Sequence, residues 1–393
     1  MKWISFSKIQ YRIYCLSLVN YVGRFCFFAH LLVAVNILQI NYALAESPPA
    51  YRQQHPLEMM HDLPTGELPG WSKNWWFNFE TSNGNVWNAP LNMVDKRSGK
   101  VYKYTADYEQ INAFLEFGHA FNEQFAASII VPYVSRSGGI LDSFIDGYHV
   151  FIGNRRYNRN YYPKYQNIFE IKTDGTSYFQ TNALADGVSN IKLKLKYWFA
   201  KWMGTQKSSC PCGLAISSQT KFPVQNEKFG GTTGHIDESI LLHFGIPLFT
   251  SSSISFTAGN TFLGDNPAIH NWPRYDNIVL YEMNLDLALS SSWGILLNAR
   301  AESPFLDDSK LTYTDLSTDP VTISNNRAAS GWNSLVHWRG TESIGVRYRT
   351  SAGDQWQFIL AEDWGIGSYD SIDNMYSNNA PDVNFVLQTQ INW

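Results

Sequence analysis

From residue 74 onward one pattern recurs along the chain: apolar and polar side chains alternate, a turn intervenes, and alternation resumes. The last segment is the clearest. Phe385, Leu387, Thr389, Ile391 and Trp393 share one parity, and Asn384, Gln388, Gln390 and Asn392 share the other, with only Val386 out of step. Strand side chains point to alternate faces, so this spacing predicts a strand with one apolar and one polar side. Ile191, Leu193, Leu195, Tyr197 and Phe199 oppose Lys192, Lys194 and Lys196. Val279, Tyr281, Met283, Leu285, Leu287 and Leu289 oppose Glu282, Asn284, Asp286 and Ser290. Ile344, Val346 and Tyr348 oppose Ser343, Gly345, Arg347 and Arg349, and Ile254, Phe256 and Ala258 oppose Ser253, Ser255 and Thr257. Less regular stretches at Asn74–Ser82, Tyr108–Gly118, Gln124–Val134, Gly213–Phe222, Glu238–Pro247, Trp293–Glu302 and Gln355–Glu362 bring the expectation to about twelve strands.

The connections between these strands alternate in length. The long ones are Asn83–Asp107, Ser135–Val188, Pro223–Asp237, Gly264–Asp276, Ser303–Gly331 and Asp363–Pro381. The short ones are His119–Glu123, Leu248–Ser252, Ser290–Ser292 and Ser351–Asp354, with Ala200–Cys212 as the exception. Long external loops alternating with short periplasmic turns, and a terminal Trp at an interface, suit a transmembrane up-and-down β-barrel. A soluble β-sandwich also alternates, with its apolar face turned inward. The fold class expected is therefore all-β, a transmembrane antiparallel barrel, with residues 74–393 forming it.

The N-terminus agrees with that compartment. Residues 1–45 carry Lys2, Lys8, Arg12 and Arg24, no acidic residue, an apolar run from Cys26 to Val35 and an Ala43-Leu44-Ala45 ending. This reads as a secretory signal peptide and implies export to the outer membrane of a Gram-negative bacterium. Residues 46–73, punctuated by Pro49, Pro56, Pro64 and Pro69, read as a periplasmic N-terminal arm. Without the signal the chain is more acidic than the −4 of the whole, which argues against nucleic acid as a partner. Cys210 and Cys212 remain, separated by Pro211, as a strained disulfide, a free pair or an intermolecular contact. No cofactor or metal spacing is present.

The connection after the third strand holds the densest chemistry. Leu141, Phe144, Ile145 and Tyr148 recur at helical spacing, which predicts a short helix carrying Asp142, Asp146 and His149 on one face. Arg155, Arg156 and Arg159 follow, interleaved with tyrosines. The Gly138-Gly139-Ile140-Leu141-Asp142 start, His149, the arginines and Asp186-Gly187 resemble the exported family labelled domain of unknown function 3187. The resemblance covers most of the chain after the signal and implies an outer-membrane location, with no activity attached. Three roles compete for Asp142, Asp146 and His149: structural pairing with the arginines, a constriction of the barrel mouth, or catalysis with His149 as base. No G-x-S-x-G elbow or H-E-x-x-H supports the last. The arginines suit either a solvated patch or phosphate groups of a neighbouring glycolipid.

Parity sends Lys192, Lys194, Lys196, Arg347 and Arg349 inward, together with Glu80, Glu116, Glu282 and Asp286. A polar lumen of this kind suits diffusion of small polar or anionic solutes across a lipid bilayer. The alternatives are a lipid- or glycolipid-modifying enzyme using His149, and a pore-less barrel whose interior charges neutralise each other. Oligomeric state is not encoded in any motif.

Overall fold

The computed structural model describes residues 61–71, 74–151, 163–173, 176–181, 186–201, 212–224, 233–249, 252–264, 273–315, 317–319, 322–323, 326–327, 332–351, 354–366 and 384–392. The predicted signal peptide, Arg155, Arg156 and Arg159 lie outside the described residues. Twelve antiparallel strands close a barrel: β1 (Trp75–Asp95), β2 (Val101–Ala120), β3 (Phe125–Ser137), β4 (Asn190–Lys201), β5 (Gly213–Pro223), β6 (Asp237–Phe249), β7 (Ser252–Phe262), β8 (Asn277–Ala288), β9 (Trp293–Glu302), β10 (Trp338–Arg349), β11 (Gln355–Ile366) and β12 (Asn384–Asn392). Each pairs with the next, and β1 pairs with both β2 and β12, so the barrel itself closes without an open edge: Phe79 stands between Leu115 and Thr389. Closure matters because a strand edge facing lipid has nothing to satisfy its backbone N–H and C=O groups. Each of the twelve expected strands is present.

The outward parity is apolar. Leu193, Leu195, Ile240, Leu242, Phe256, Met283, Ile344, Val346, Phe358 and Leu387 are exposed, while the residues between them are largely buried. Aromatic side chains gather where the short turns are, as Trp75 on His119, Phe121 on Phe125 and Trp293 against Tyr348. Such rings suit an interface where one side is apolar and the other wet.

One expected loop is not a loop. Asn83–Asp107 holds strand on both sides, and only Lys96–Lys100 turns. Asn83-Gly84 is a strong local turn signal and Pro90 cannot donate to a ladder. Here Asn83 and Gly84 lie between Phe385–Asn384 on one side and Ile111–Gln110 on the other, so pairing overrides the local preference. The Pro is absorbed where the register slips between Asn88 and Leu91. At the tip, Ser98 Oγ and the Arg97 N–H donate to Asp95 and hold its carboxyl below the usual range.

β1 and β2 therefore project well beyond the roughly ten residues a crossing strand needs, and the projection is the base of a cap. Leu311–Thr314 pairs with Asn92–Asp95, and a hairpin of Ile168–Thr173 and Thr176–Thr181 pairs with Tyr102–Asp107. Val86, Leu91, Met93, Tyr102, Tyr104, Tyr108, Phe169, Phe305, Leu306 and the short helix Trp332–Val336 form its buried apolar core. This core sits at the loop end, apart from the lipid-facing surface.

Candidate functional site

Inside the barrel the inward parity is polar and charged, and the described part of the expected arm lies there as well. Residues 61–71 do not project from the turn end. His61 meets Asp237 at the loop end of β6, and Trp71 meets Trp198 near the turn end of β4. The chain thus passes down the lumen before reversing into β1. Leu63 joins the apolar core of the cap, and Gly70 lets the Trp198 indole lie where a Cβ would sit at 2.4 Å.

Between these two ends the arm is held by polar contacts. Asp62 pairs with Lys192 at 2.8 Å. Glu67 pairs with Lys194 at 3.1 Å and Lys196 at 3.3 Å, and lies 3.6 Å from His243 Nε2. The Gly66 N–H donates to Glu282 at 2.7 Å, Arg300 donates to the Pro64 carbonyl at 2.9 Å, and Lys196 donates to the Leu68 carbonyl. The segment Asp62–Leu68 has no regular structure, so its backbone groups depend on such partners.

The wall charges predicted from parity face inward and are brought into pairs. Lys194 also meets Glu116 at 2.8 Å, Arg347 meets Asp286 at 2.8 Å, and Glu282 meets Arg300 at 3.2 Å. Arg349 is buried and donates to Gln355 Oε1 at 3.3 Å. Parity within Trp293–Glu302 also points Arg300 inward, and the register sets it opposite Glu282 and sets Glu302 opposite Arg339. Glu302 pairs with both arginines. Lys221, Asp237 and His61 form another buried group, with Lys221 2.5 Å and His61 3.0 Å from Asp237. These partners escaped the sequence reading because strand register and the arm's path are not written in local alternation. A cavity of about 50 Å³ remains between the arm and the wall, lined by Glu67, Asn78, Glu80, Glu116, Lys194 and Gln388 among others. That space is enough to hold water.

The loop constellation resolves differently. Asp142–Phe151 is helical, as its periodicity predicts. Asp142 accepts from Asn85 Nδ2 at 2.6 Å and from the Tyr165 N–H at 2.5 Å, and Asp146 pairs with Lys164 at 2.5 Å. The His149 side chain lies outside the described residues. Gly139, at φ 60°, brings the chain back over Glu109, whose Oε2 accepts from the Ile140 and Leu141 N–H groups. A Cβ there would stand 1.8 Å from that oxygen. The Gly-Gly-Ile-Leu-Asp run is thus a folded corner whose carboxylates hold main chain.

One Ser–His contact in the lumen invites comparison with a nucleophilic site. Ser217 Oγ lies 2.7 Å from His243 Nε2, and Thr257 Oγ1 lies 3.1 Å from Nδ1. Glu67 approaches the same nitrogen as the serine. A relay needs the acid on the opposite nitrogen, so this geometry does not activate the hydroxyl. Among the described residues no cluster of His, Cys, Asp and Glu could hold a metal ion. Cys212 is disulfide-bonded and so is not a free thiol, and Cys210 lies outside the described residues.

No curated protein matches the chain. Among solved structures it is similar to an outer membrane channel from Pseudomonas putida F1, at 8% identity and TM-score 0.43, covering 84% of this chain and 98% of that one. It is also similar to the NanC porin, at 6% identity and TM-score 0.36 over 80% and 100% of the two chains. A third is a Pseudomonas aeruginosa FadL homologue, at 9% identity and TM-score 0.37 over 88% and 96%. The model of the family described as protein of unknown function (DUF3187) matches residues 66–302, from the lumenal arm through the end of β9, and the chain belongs to that family.

Proposed function

We propose that this barrel resides in the bacterial outer membrane and passes small polar or anionic solutes, with the state described here closed by residues 61–71. The observation that carries the reading is the contrast between the two faces of the barrel. The exterior parity is apolar around the cylinder, whereas the interior holds charged side chains on β4, β5, β8, β9 and β10. Buried charge costs free energy unless each group is paired. A wall of this kind stabilises hydrated or charged cargo in place of its water shell once the arm is out of the way.

A second reading, the pore-less structural barrel, is favoured by the same ion pairs: Lys192, Lys194, Lys196, Glu282, Asp286 and Arg347 all have partners here. Planar-bilayer conductance separates the two. The whole chain should show rare or small openings, and a barrel lacking residues 46–71 should conduct with a preference for anions set by the lysine row. A folded, arm-less barrel that stays silent would replace the channel by the structural reading. The enzyme reading needs free carboxylates beside His149, yet Asp142 and Asp146 are both engaged in holding the loop. For Arg155, Arg156 and Arg159 both expectations stand, a solvated patch or a site for glycolipid phosphate, and loss of lipopolysaccharide binding on their replacement by Gln would select the second.

A further inference from the structure

We propose that Lys192, Lys194 and Lys196 of β4, with His243 of β6, form a binding site for carboxylate anions, and that Asp62 and Glu67 of the arm occupy it in place of a solute.

The lysines stand two residues apart on one strand, so their ammonium groups make a ladder along the barrel axis with a spacing of about 6.6–6.8 Å. Among the described residues, the wall carboxylate seen in ion-pair contact with this ladder is Glu116 on Lys194. The arm adds Asp62 on Lys192, and Glu67 on Lys194 and Lys196. With the arm displaced, Lys192, Lys194 and Lys196 outnumber Glu116 and Glu80, the wall carboxylates of the same cavity, and lose the two carboxylates that Asp62 and Glu67 supply. A small dicarboxylate presents the same pair of groups.

The contacts are of a kind that exchanges. Leu63 in the cap, and Leu68, Pro69 and Trp71 toward the turn end, anchor the segment by apolar contact. Between them the arm holds on by ion pairs and hydrogen bonds, and the cavity beside Glu67, Glu116 and Lys194 admits water to the pairs. A buried ammonium left without a carboxylate is costly, so an anion that supplies one can take the arm's place at each lysine where an uncharged solute cannot. On the opposite wall Arg300 and Arg339 meet Glu282 and Glu302, and Arg347 meets Asp286; these carboxylates belong to the wall and not to the arm. Binding at the ladder is independent of the channel reading; only the consequence, passage of the bound acid, rests on it.

The test uses the full chain in detergent with Thr65→Cys as reporter, since Thr65 lies beside the cavity between the two arm carboxylates. A water-soluble thiol reagent reads its exposure against the background of the parent chain. Succinate should accelerate labelling about tenfold at about ten times its dissociation constant, by mass action on the displaced state. Chloride at equal ionic strength should not. Lys194→Gln/Lys196→Gln should abolish the succinate effect, with heat-modifiable gel migration checking that the barrel is folded. Glu67→Gln supplies an independent arm and should raise basal labelling severalfold without succinate. Equal acceleration by chloride and succinate, or basal labelling unchanged in Glu67→Gln, overturns the proposal. Succinate-driven labelling in a chain that never conducts, with or without its arm, would leave the carboxylate site standing and remove the channel.

Discussion

At the scale of single residues, the interior is governed by charge pairing under desolvation. Arg347 is almost fully buried, and its guanidinium occupies the space beside Gly294, where a Cβ would stand 2.4 Å from one nitrogen. Its carboxylate partner is Asp286. Removing one member of a buried pair leaves the other charge without compensation, at a cost of about 3–5 kcal/mol, whereas replacing both by apolar groups is often neutral. Asp286→Asn should therefore lower the denaturation midpoint markedly, and Asp286→Leu/Arg347→Met should recover most of the loss. Equilibrium unfolding in detergent or lipid checks both variants; equal stability of Asp286→Asn and the parent would show that the lumen solvates Arg347 without its partner.

At the scale of elements, the loop before β4 shows how polar side chains act as main-chain supports. Asp142 opens its helix and simultaneously ties Asn85 of β1 to the Tyr165 backbone, itself in a left-handed conformation at φ 61°. Asp142→Ala orphans both donors, about 1–3 kcal/mol for each that stays buried. Amide hydrogen exchange should then speed up across Asp142–Phe151 and at Tyr165 while the strands keep their protection. A protected helix in that variant would assign its stability to packing alone. The helical spacing of Leu141, Phe144, Ile145 and Tyr148 predicted this helix, and a structural role was one of the three readings of its acidic face; the partners Asn85, the Tyr165 main chain and Lys164 were not legible.

At the scale of the whole molecule, two solvents divide the work. Lipid is met by side chains such as Ile344, midway along β10 and 56% exposed, flanked by Leu297 and Leu360 in the register. Arg at such a midplane position costs about 2–4 kcal/mol in a barrel. Ile344→Arg should depress folding into vesicles by that amount, with a much smaller effect on stability in short-chain detergent micelles that deform around the charge. A soluble sandwich would bury Ile344 and show the same loss in every solvent. The cap adds a third environment, an apolar core built by loops at one end of the barrel and reached by Leu63 of the arm.

The sequence by itself determined the period-two alternation, the number of strands, the parity of the lysine row and the helix at 142–151, because each depends on residues within one local segment. Tertiary structure decided the rest. Asn83-Gly84 became strand since two neighbouring strands pair with it, against its own turn preference. The cap core gathered residues from β1, β2 and the loops between later strands. The arm, legible only as a proline-punctuated stretch, found its place because lumenal lysines more than a hundred residues away needed carboxylates. Local pattern specifies which face a side chain takes; only closure of the barrel brings the faces together and shows which charges are left for one another.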